Sequence, residues 1–277
     1  RNIINIKNSL GVFLSQSGET ADTLAVLRYF NQQKGKTLGI INSAESSIAR
    51  ESNNVMETHA GPEIGVASTK AFTTQLVALG ALTLFMANFN KTMRRNEINK
   101  LSNALVEAPG QISKILKMDN IFHKIATNIK NAKNVLYIGR GTSYPVALEG
   151  ALKLKEISYI HAEGYPAGEI KHGPIALVEK GVPVIVIAPS DQLIDKTISN
   201  VEELLSRGAK IIFISDKKGI KKINNKKITT LCLPETHEII SPILYSVPVQ
   251  LIAYHTAVLK GTDVDQPRNL AKSVTVE

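Results

Sequence analysis

The sequence predicts an α/β protein with parallel β-sheets, in which one domain has been duplicated in tandem. Short apolar runs typical of buried strands alternate with helical patterns, and this order of elements indicates a parallel sheet covered by helices. The same order recurs in the second half of the chain at an offset of about 173 residues, which indicates a repeated domain. The length of 277 residues, with 43% hydrophobic and 21% charged residues, fits a globular protein of about two domains.

The first copy opens with an apolar run at residues 9–14 that predicts a buried strand. A polar turn at residues 15–20 follows, and Asp22–Gln33 is predicted as a helix because its apolar residues fall on one side. Thr37–Ile41 is the next strand, and residues 68–85 form a long apolar helix. Strand, turn, helix and strand in this order predict a parallel α/β unit.

The second copy repeats this order with additional elements at its start. Its predicted elements are the strand Val135–Ile138, the turn Gly139–Ser143, the helix Val146–Ile160, the strand Val182–Ala188, the helix Val201–Arg207, the strand Lys210–Ile214, the short strand Thr230–Leu233 and the long helix Ser241–Lys260. Between the two copies, residues 92–131 are polar and helical in pattern, so we expect connecting helices there rather than a flexible linker.

The repeat also predicts that part of the first copy is missing from this chain. The strand at 182–188 corresponds to the strand at 9–14, yet about fifty residues of the second copy precede it, against about ten in the first. We therefore expect roughly forty residues to be missing, including a counterpart of the Gly139–Ser143 loop and its helix. The chain also lacks a starting methionine, so we expect a fragment, a processed product or a partial record.

Composition excludes several classes of protein. The single cysteine, Cys232, rules out an intramolecular disulfide framework and fits a reducing compartment. The net charge is +9, and its densest basic cluster, residues 217–227, has no interleaved aromatic residues, which favours a solvated loop over a nucleic-acid site. The start of the chain shows no secretory signal. The longest apolar stretch, Leu76–Ala87, is too short to span a bilayer.

The polar turn at residues 15–20, Ser-Gln-Ser-Gly-Glu-Thr, is the first candidate site. It offers hydroxyl and amide donors between a strand and a helix N-terminus, where backbone N–H groups and the helix dipole favour an anion. It has neither the lysine of a P-loop nor the glycine pattern of a dinucleotide site. The alternative is simple helix capping by Ser17 or Thr20. The Gly139–Ser143 turn has the same setting, and it is either a ligand contact or a tight turn that its glycines permit.

A second group of candidates lies between Lys153 and His172, where titratable residues are dense. Lys153 and Glu156 are three residues apart and share a helix face, so Glu156 is either a general base or part of a solvated ion pair. His161 and His172 have no partner at metal-ligand spacing, and a lone histidine is more often structural than catalytic. The C-terminal stretch 261–273, which carries Arg268 and Lys272, either frays or folds into a pocket.

These residues fall in motifs that resemble one family. The motifs are Ser-Gln-Ser-Gly-Glu-Thr at 15–20, Glu-Ile-Gly-Val-Ala-Ser-Thr-Lys at 63–70, Ala-Leu-Lys-Leu-Lys-Glu-Ile at 151–157, His-Ala-Glu at 161–163, Lys-His-Gly-Pro at 171–174 and the tail at 265–277. Together they resemble the isomerase part of the glutamine–fructose-6-phosphate aminotransferases (isomerizing), from about residue 9 to the last residue. The resemblance implies two sugar-isomerase (SIS) domains of flavodoxin-like, three-layer α/β/α form, the first lacking its N-terminal strand and helix. It places the domains at 1–117 and 118–264, with an active-site tail at 265–277.

The resemblance also implies a role for each candidate residue. It assigns the sugar phosphate to Ser15, Gln16, Ser17 and Thr20, and it implies that Val66 and Ala67 line the sugar site. Glu156 matches the base that moves a proton between C1 and C2, and Lys153 lies beside the sugar site. His172 matches the residue that helps to open the sugar ring and comes from the partner subunit. Lys272 matches the lysine at the sugar carbonyl.

The implied activity is the isomerase step in making glucosamine 6-phosphate from fructose 6-phosphate and ammonia. The resemblance implies no cofactor and no metal, a cytoplasmic homodimer, and no nucleic-acid or membrane partner. The sequence is expected to depart from the family pattern in two respects. Neither the glutaminase domain nor the Gly-Thr-Ser loop of the first SIS domain is present in it. The alternatives are a sugar-phosphate-binding regulatory module and an inactive remnant, and Glu156 together with the Lys272 tail favours the enzyme.

Overall fold

The computed structural model describes residues 6, 8–223 and 225–272. The chain divides into two compact units, which we call unit 1 and unit 2. Unit 1 comprises the residues up to Thr83 together with those from Asn269, and unit 2 comprises Leu84–Arg268. From the sequence, domain limits are placed after residue 117 and after residue 264, and these limits remain a prediction.

Unit 1 contains a small parallel sheet. Its elements are β1 Leu10–Ser15, α1 Ala21–Gln32, β2 Lys36–Ile41, α2 Ser47–Glu51 and β3 Asn54–Glu57, followed by α3 Lys70–Phe89, within which the limit between the units falls. The strand order is β1-β2-β3, with Leu10 opposite Lys36 and Leu38 opposite Asn54. A small core packs α1 and α2 on this sheet through Phe13, Leu27, Ile41 and Ile48.

Unit 2 contains a larger parallel sheet. Its elements are α4 Arg95–Leu116, α5 Asp119–Ile129, β4 Asn134–Gly139, α6 Ser143–Ser158, β5 His161–Pro166, β6 Pro183–Ile187, α7 Ile194–Ser206, β7 Lys210–Asp216, α8 Lys217–Ile223, β8 Thr229–Leu233 and α9 Ser241–Lys260, with 3₁₀ turns at Glu169–His172 and Pro174–Leu177. The strand order is β5-β4-β6-β7-β8, all parallel. The predicted α/β fold and the connecting helices are confirmed.

The predicted repeat appears in the order of the strands. The neighbours β1-β2-β3 correspond to β6-β7-β8, and both sets are parallel. The unit 2 elements β4, α6 and β5 have no counterpart among the described residues of unit 1. The chain order reverses between β4 and β6, which in open α/β sheets is where ligands bind, beyond the carboxyl ends of the strands.

Residues 217–227 include a helix, so the prediction of a loop there is wrong in part. The Asp216 carboxylate accepts hydrogen bonds from the N–H groups of Lys218 and Gly219, which caps the start of α8. The six lysines of this segment are exposed, and two of them form ion pairs, Lys218 with Glu235 at 2.8 Å and Lys222 with Asp195 at 2.7 Å.

Two helices of the described chain are long and apolar enough, by length and composition, to cross a membrane. They are α3 and α9. Helix α3, Lys70–Phe89, extends beyond the apolar stretch Leu76–Ala87, which is by itself too short to span a bilayer. The most apolar window of α9 is 67% buried within the protein, as in the core helix of a soluble protein, whereas that of α3 is 11% buried.

Candidate active site

The loop at residues 15–20 joins β1 to α1 and is held by its own hydroxyl groups. The Ser15 hydroxyl accepts a hydrogen bond from the Gly18 N–H at 2.9 Å and lies 2.8 Å from the Thr20 hydroxyl. The Ser17 hydroxyl accepts from the Glu19 N–H at 3.2 Å. Thr20 is the N-cap residue of α1, but its side chain makes no capping hydrogen bond. Capping by Thr20, the alternative from the sequence, is therefore wrong.

Gly18 and Glu19 fix this loop against the start of α2. Gly18 has φ = +69°, and a Cβ atom there would lie 1.9 Å from the Ser46 hydroxyl. Its carbonyl accepts from the Ile48 N–H at 3.0 Å. The Glu19 carboxylate accepts from the Ser47 N–H at 2.7 Å, and this hydrogen bond holds the pKa of Glu19 below its usual range. The loop is therefore preorganised before any ligand arrives.

Asn42 ties the loop to the segment that follows β3. Its N–H donates to the Gln16 carbonyl at 3.3 Å, and its side-chain oxygen accepts from the Ala60 N–H at 2.8 Å. Its side-chain nitrogen donates to the Gly61 carbonyl at 2.9 Å. No local pattern selects Asn42 as a site residue, because its partners lie many residues away on both sides.

The segment 63–69 and the C-terminal tail meet in unit 1. The Lys272 ammonium donates to the Gly65 carbonyl at 2.7 Å and lies 3.5 Å from a carboxylate oxygen of Glu63. The next two residues of the segment are Val66, which is half-buried, and Ala67, which is buried. The expectation that the tail folds onto the protein is confirmed for Lys272, whereas residues 273–277 lie outside the described residues.

Glu63 organises this segment, and the sequence did not single it out as a site residue. Its buried side chain accepts hydrogen bonds from the Thr69 N–H at 2.6 Å and the Ser68 hydroxyl at 2.8 Å. Burial alone would raise the pKa of Glu63, but these bonds and the nearby Lys272 outweigh burial and lower the pKa below its usual range. Glu63 is therefore ionised at neutral pH and attracts the Lys272 ammonium.

In unit 2, Lys153 and Glu156 form an ion pair on α6, as their spacing predicts. The Lys153 ammonium lies 2.5 Å from a Glu156 carboxylate oxygen, and the exposed fractions of the two side chains are 4% and 21%. A solvated helix face is therefore the wrong description of Lys153. A lysine this buried needs its carboxylate partner, and the remaining exposure leaves the Glu156 carboxylate open to a ligand.

His172 lies in a different environment. It ends the 3₁₀ turn at Glu169–His172, its side chain is 71% exposed, and its Nδ1 atom lies 2.8 Å from a Glu169 carboxylate oxygen. It bonds to neither Lys153 nor Glu156 within the chain. Among the described residues, no group of three or more histidine, cysteine, aspartate or glutamate side chains is arranged to hold a metal ion.

Unit 2 has a cleft of about 830 Å³ beyond the carboxyl ends of its strands. Nine of its lining residues are polar or charged, and they come from several segments of unit 2: Thr142, Ser190, Asp191, Gln192, Asp216, Thr236, His237, Glu238 and Ser241. The Asp216 carboxylate accepts from the Ser190 N–H at 2.9 Å as well as from the start of α8. Burial favours a higher pKa for Asp216, but these hydrogen bonds prevail and lower it.

The Gly139–Ser143 turn does not direct its cation into the cleft. The Arg140 guanidinium donates to the Asn200 side chain at 3.0 Å. Gly139 is required by close packing, because a Cβ atom there would lie 2.3 Å from the Ser143 carbonyl oxygen. These contacts explain the turn as a structural feature. Of its two hydroxyl residues, Thr142 lines the cleft and Ser143 does not.

Comparison with known protein families decides where this fold belongs. The SIS domain profile matches residues 6–85 and 128–260, which include most of both units. The chain belongs to the SIS domain family. The two matched segments agree with the two copies found in the sequence, and residues between them form the connecting helices α4 and most of α5.

Relatives within the SIS family share most of this chain. It is 57% identical over 268 residues to a Bartonella henselae protein named glutamine–fructose-6-phosphate aminotransferase [isomerizing], covering 97% of this chain and 44% of the relative. A solved structure of the C-terminal domain of glucosamine-fructose-6-phosphate aminotransferase from Francisella tularensis is 45% identical, with a TM-score of 0.93, covering 96% of this chain and 76% of that one. Glucosamine-6-phosphate deaminase from Thermotoga maritima is 25% identical, with a TM-score of 0.73, covering 96% and 75%. The chain spans somewhat less than half the length of the curated relatives it matches.

Proposed function

We propose that this chain is the isomerase part of an enzyme that converts fructose 6-phosphate and ammonia to glucosamine 6-phosphate. The observation that carries the proposal is the position of Lys272, whose ammonium is held by Gly65 and the ionised Glu63 directly before Val66 and Ala67. A protein that only bound sugar phosphates would not need a tail lysine fixed in this way. The names of the SIS relatives support the same reaction.

In this proposal the phosphate binds the Ser15–Thr20 loop. The hydroxyls of Ser15, Ser17 and Thr20, the Gln16 side chain and the start of α1 supply donors for a dianion. The phosphate anchors the substrate, so that the catalytic groups act on an oriented sugar rather than on a freely diffusing one. Val66 and Ala67 line the sugar.

The chemical steps require three groups. His172 assists opening of the ring by moving a proton between the ring oxygen and the anomeric hydroxyl. Lys272 acts at the carbonyl of the open sugar, where ammonia replaces oxygen with loss of water. The Glu156 carboxylate then takes a proton from C1 and returns it to C2, which converts the ketose imine to the aldose amine. Lys153, whose ammonium lies 2.5 Å from a Glu156 carboxylate oxygen, holds that carboxylate in place.

We further propose that the protein works as a cytoplasmic homodimer in which His172 is donated to the partner's site. The high exposure of His172, and its bond to Glu169 rather than to Glu156, support this assignment. In mixed dimers of Glu156→Gln and His172→Ala subunits, one site would be complete, and activity should return relative to either variant alone. Mixed dimers as inactive as their parents would place His172 in its own subunit's site. The proposal includes no metal, cofactor, membrane or nucleic-acid partner.

The isomerase proposal is tested by replacing its base. Glu156→Gln keeps the shape of the side chain but cannot accept the proton, so deuterium exchange at C1 and C2 of the sugar should fall by about 100-fold or more. Binding of fructose 6-phosphate, measured by calorimetry, should persist. The matched control is Glu202→Gln, an exposed glutamate on α7. Exchange at the parental rate in Glu156→Gln would reject Glu156 as the base, and binding without exchange in the parent would favour a regulatory binding module.

A further inference from the structure

The last turn of α6 is attached to the segment that follows α9. The Thr262 hydroxyl donates to the Ile157 carbonyl at 2.6 Å. The Tyr159 hydroxyl accepts a hydrogen bond from the Arg268 N–H at 2.9 Å, and the Arg268 guanidinium carbon lies 4.3 Å from the centroid of the Tyr159 ring. One tyrosine side chain therefore binds both the backbone and the side chain of Arg268.

Tyr159 has a backbone conformation that is unusual for a tyrosine. Tyr159 ends α6 in the left-handed conformation, with φ = 59° and ψ = 16°. Glycine or asparagine normally occupies this position, because a larger side chain is strained there. A tyrosine at a position that favours glycine is explained when its side chain makes contacts that glycine could not make.

The segment between α9 and Arg268 is folded. The Asp263 carboxylate accepts hydrogen bonds from the N–H groups of Asp265 and Gln266, both at 2.9 Å. These bonds lower the pKa of Asp263, so the carboxylate is ionised at neutral pH. Pro267 is buried immediately before Arg268. The chain therefore reaches Tyr159 through an ordered turn.

Along the sequence, the attachment lies between two of the three groups that the proposed reaction requires. Glu156 precedes Tyr159 by three residues on α6, and Lys272 follows Arg268 by four. Four residues of chain extend at most about 14 Å, so fixing Arg268 restricts where the tail can carry Lys272. The other end of this tail is held in unit 1, where Lys272 bonds to Gly65.

We propose that Tyr159 is a positioning residue that fixes the tail to the helix carrying Glu156 and so places Lys272 for the reaction. This inference rests on the proposed function. The hydrogen bond fixes the position of the Arg268 backbone, and the ring fixes the direction of its side chain. The phosphate loop of unit 1 is not involved, so substrate affinity should be independent of this attachment.

The first test separates the two contacts in a kinetic assay of the parent and its variants. Tyr159→Phe removes the acceptor and keeps the ring, whereas Arg268→Gln keeps the backbone N–H and removes the cation. Each should lower kcat about 10-fold, because misplacing one catalytic group costs this much or more, while KM for fructose 6-phosphate changes less than about 2-fold. The control is Tyr254→Phe, an exposed tyrosine on α9, which should behave like the parent.

The second test asks whether Tyr159 acts through Lys272. In a Lys272→Ala background, adding Tyr159→Phe should cause no further loss of kcat, because a positioning residue has no effect once the group it positions is gone. Hydrogen exchange gives a readout that needs no activity: in Tyr159→Phe the Arg268 amide should exchange faster, while the amides of residues 15–20 should not change.

The outcomes distinguish this inference from the function on which it rests. An active parent with unchanged kcat in Tyr159→Phe, or multiplicative losses in the double variant, would overturn the positioning role. Unchanged exchange at Arg268 would overturn the attachment itself. A parent that binds sugar phosphate but exchanges no sugar proton would instead reject the proposed function, and the exchange at Arg268 would then decide the attachment alone.

Discussion

Two loops of this protein occupy equivalent positions in the repeat but have different hydrogen-bond acceptors. In unit 1, the N–H groups of the loop after β1 donate to the hydroxyls of Ser15 and Ser17. In the loop after β6 of unit 2, the Ser190 N–H donates to the Asp216 carboxylate. At the offset of about 173 residues, Ser190 corresponds to Ser17 and Asp216 to Ser43. The loops themselves also differ, because residues 15–20 correspond to residues 188–193 and share only the serine at positions 17 and 190.

This difference suggests why the two copies should differ in ligand. A hydroxyl can turn and donate to a phosphate, whereas a carboxylate already bonded to the loop repels an anion and occupies its donors. Unit 2 keeps the strand-to-helix architecture that favours anions, but its Asp216 carboxylate already accepts the Ser190 N–H. The loop of unit 2 also has Ala188 and Leu193 where unit 1 has Ser15 and Thr20, so it offers fewer hydroxyl donors.

The largest effect is expected when Ser43 of unit 1 is replaced by aspartate, the residue at the equivalent position of unit 2. Ser43→Asp should bring a carboxylate to the Ser15–Thr20 loop and weaken binding of fructose 6-phosphate by about 100-fold or more, since two charge-assisted hydrogen bonds contribute roughly 3–6 kcal/mol. Ser43→Asn is the neutral control of similar shape. Calorimetry at constant salt checks the result, and parental affinity in Ser43→Asp would mean that the comparison between the loops does not explain ligand choice.

A similar loss is expected from removing donors of the first loop. The double variant Ser17→Ala, Thr20→Ala loses hydroxyls proposed to bind the phosphate, at a cost of roughly 3 kcal/mol or more. Ser190→Ala in the second loop is the matched control and should leave affinity unchanged. The same calorimetric titration compares them, and equal losses in both loops would show that unit 2 also contributes to binding.

A smaller effect on stability is expected in unit 2. Asp216→Asn weakens the hydrogen bonds to Ser190 and the start of α8, and should lower the free energy of unfolding by about 1–3 kcal/mol. Because the folded pKa of Asp216 is lowered, its contribution is present above its ordinary pKa of about 4 and is lost as pH falls through the folded value. Denaturant unfolding between pH 7 and 3 should therefore converge for parent and variant in acid. Asp195→Asn, in an exposed ion pair, is the control and should cost under about 1 kcal/mol. A constant difference at all pH values would exclude ionisation of Asp216 as the cause.

The sequence predicted those elements whose signals are local. Strands β1, β2, β4, β6 and β7 carry continuous apolar runs, and α9 was predicted over its full observed range. Strand β5, His161–Pro166, was not predicted, because its residues are polar or small and it is defined by pairing with β4. Tertiary pairing, rather than propensity, makes it a strand.

The candidate site divides in the same way. The Ser15–Thr20 loop and the Lys153–Glu156 pair could be selected from the sequence, because their residues are neighbours along the chain. Asn42 and Glu63 could not, since their partners are brought together only by folding. The pairing of Lys272 with Gly65 joins residues more than 200 positions apart, and only the resemblance to a family indicated where that tail would bind.

The most direct test of the comparison is a crystal structure of this protein with fructose 6-phosphate. We expect phosphate density within hydrogen-bonding distance of the hydroxyls of Ser15, Ser17 and Thr20, with Asp216 still bonded to Ser190. Phosphate density beside Ser190 and Thr142 in the unit 2 cleft, with the first loop empty, would contradict it.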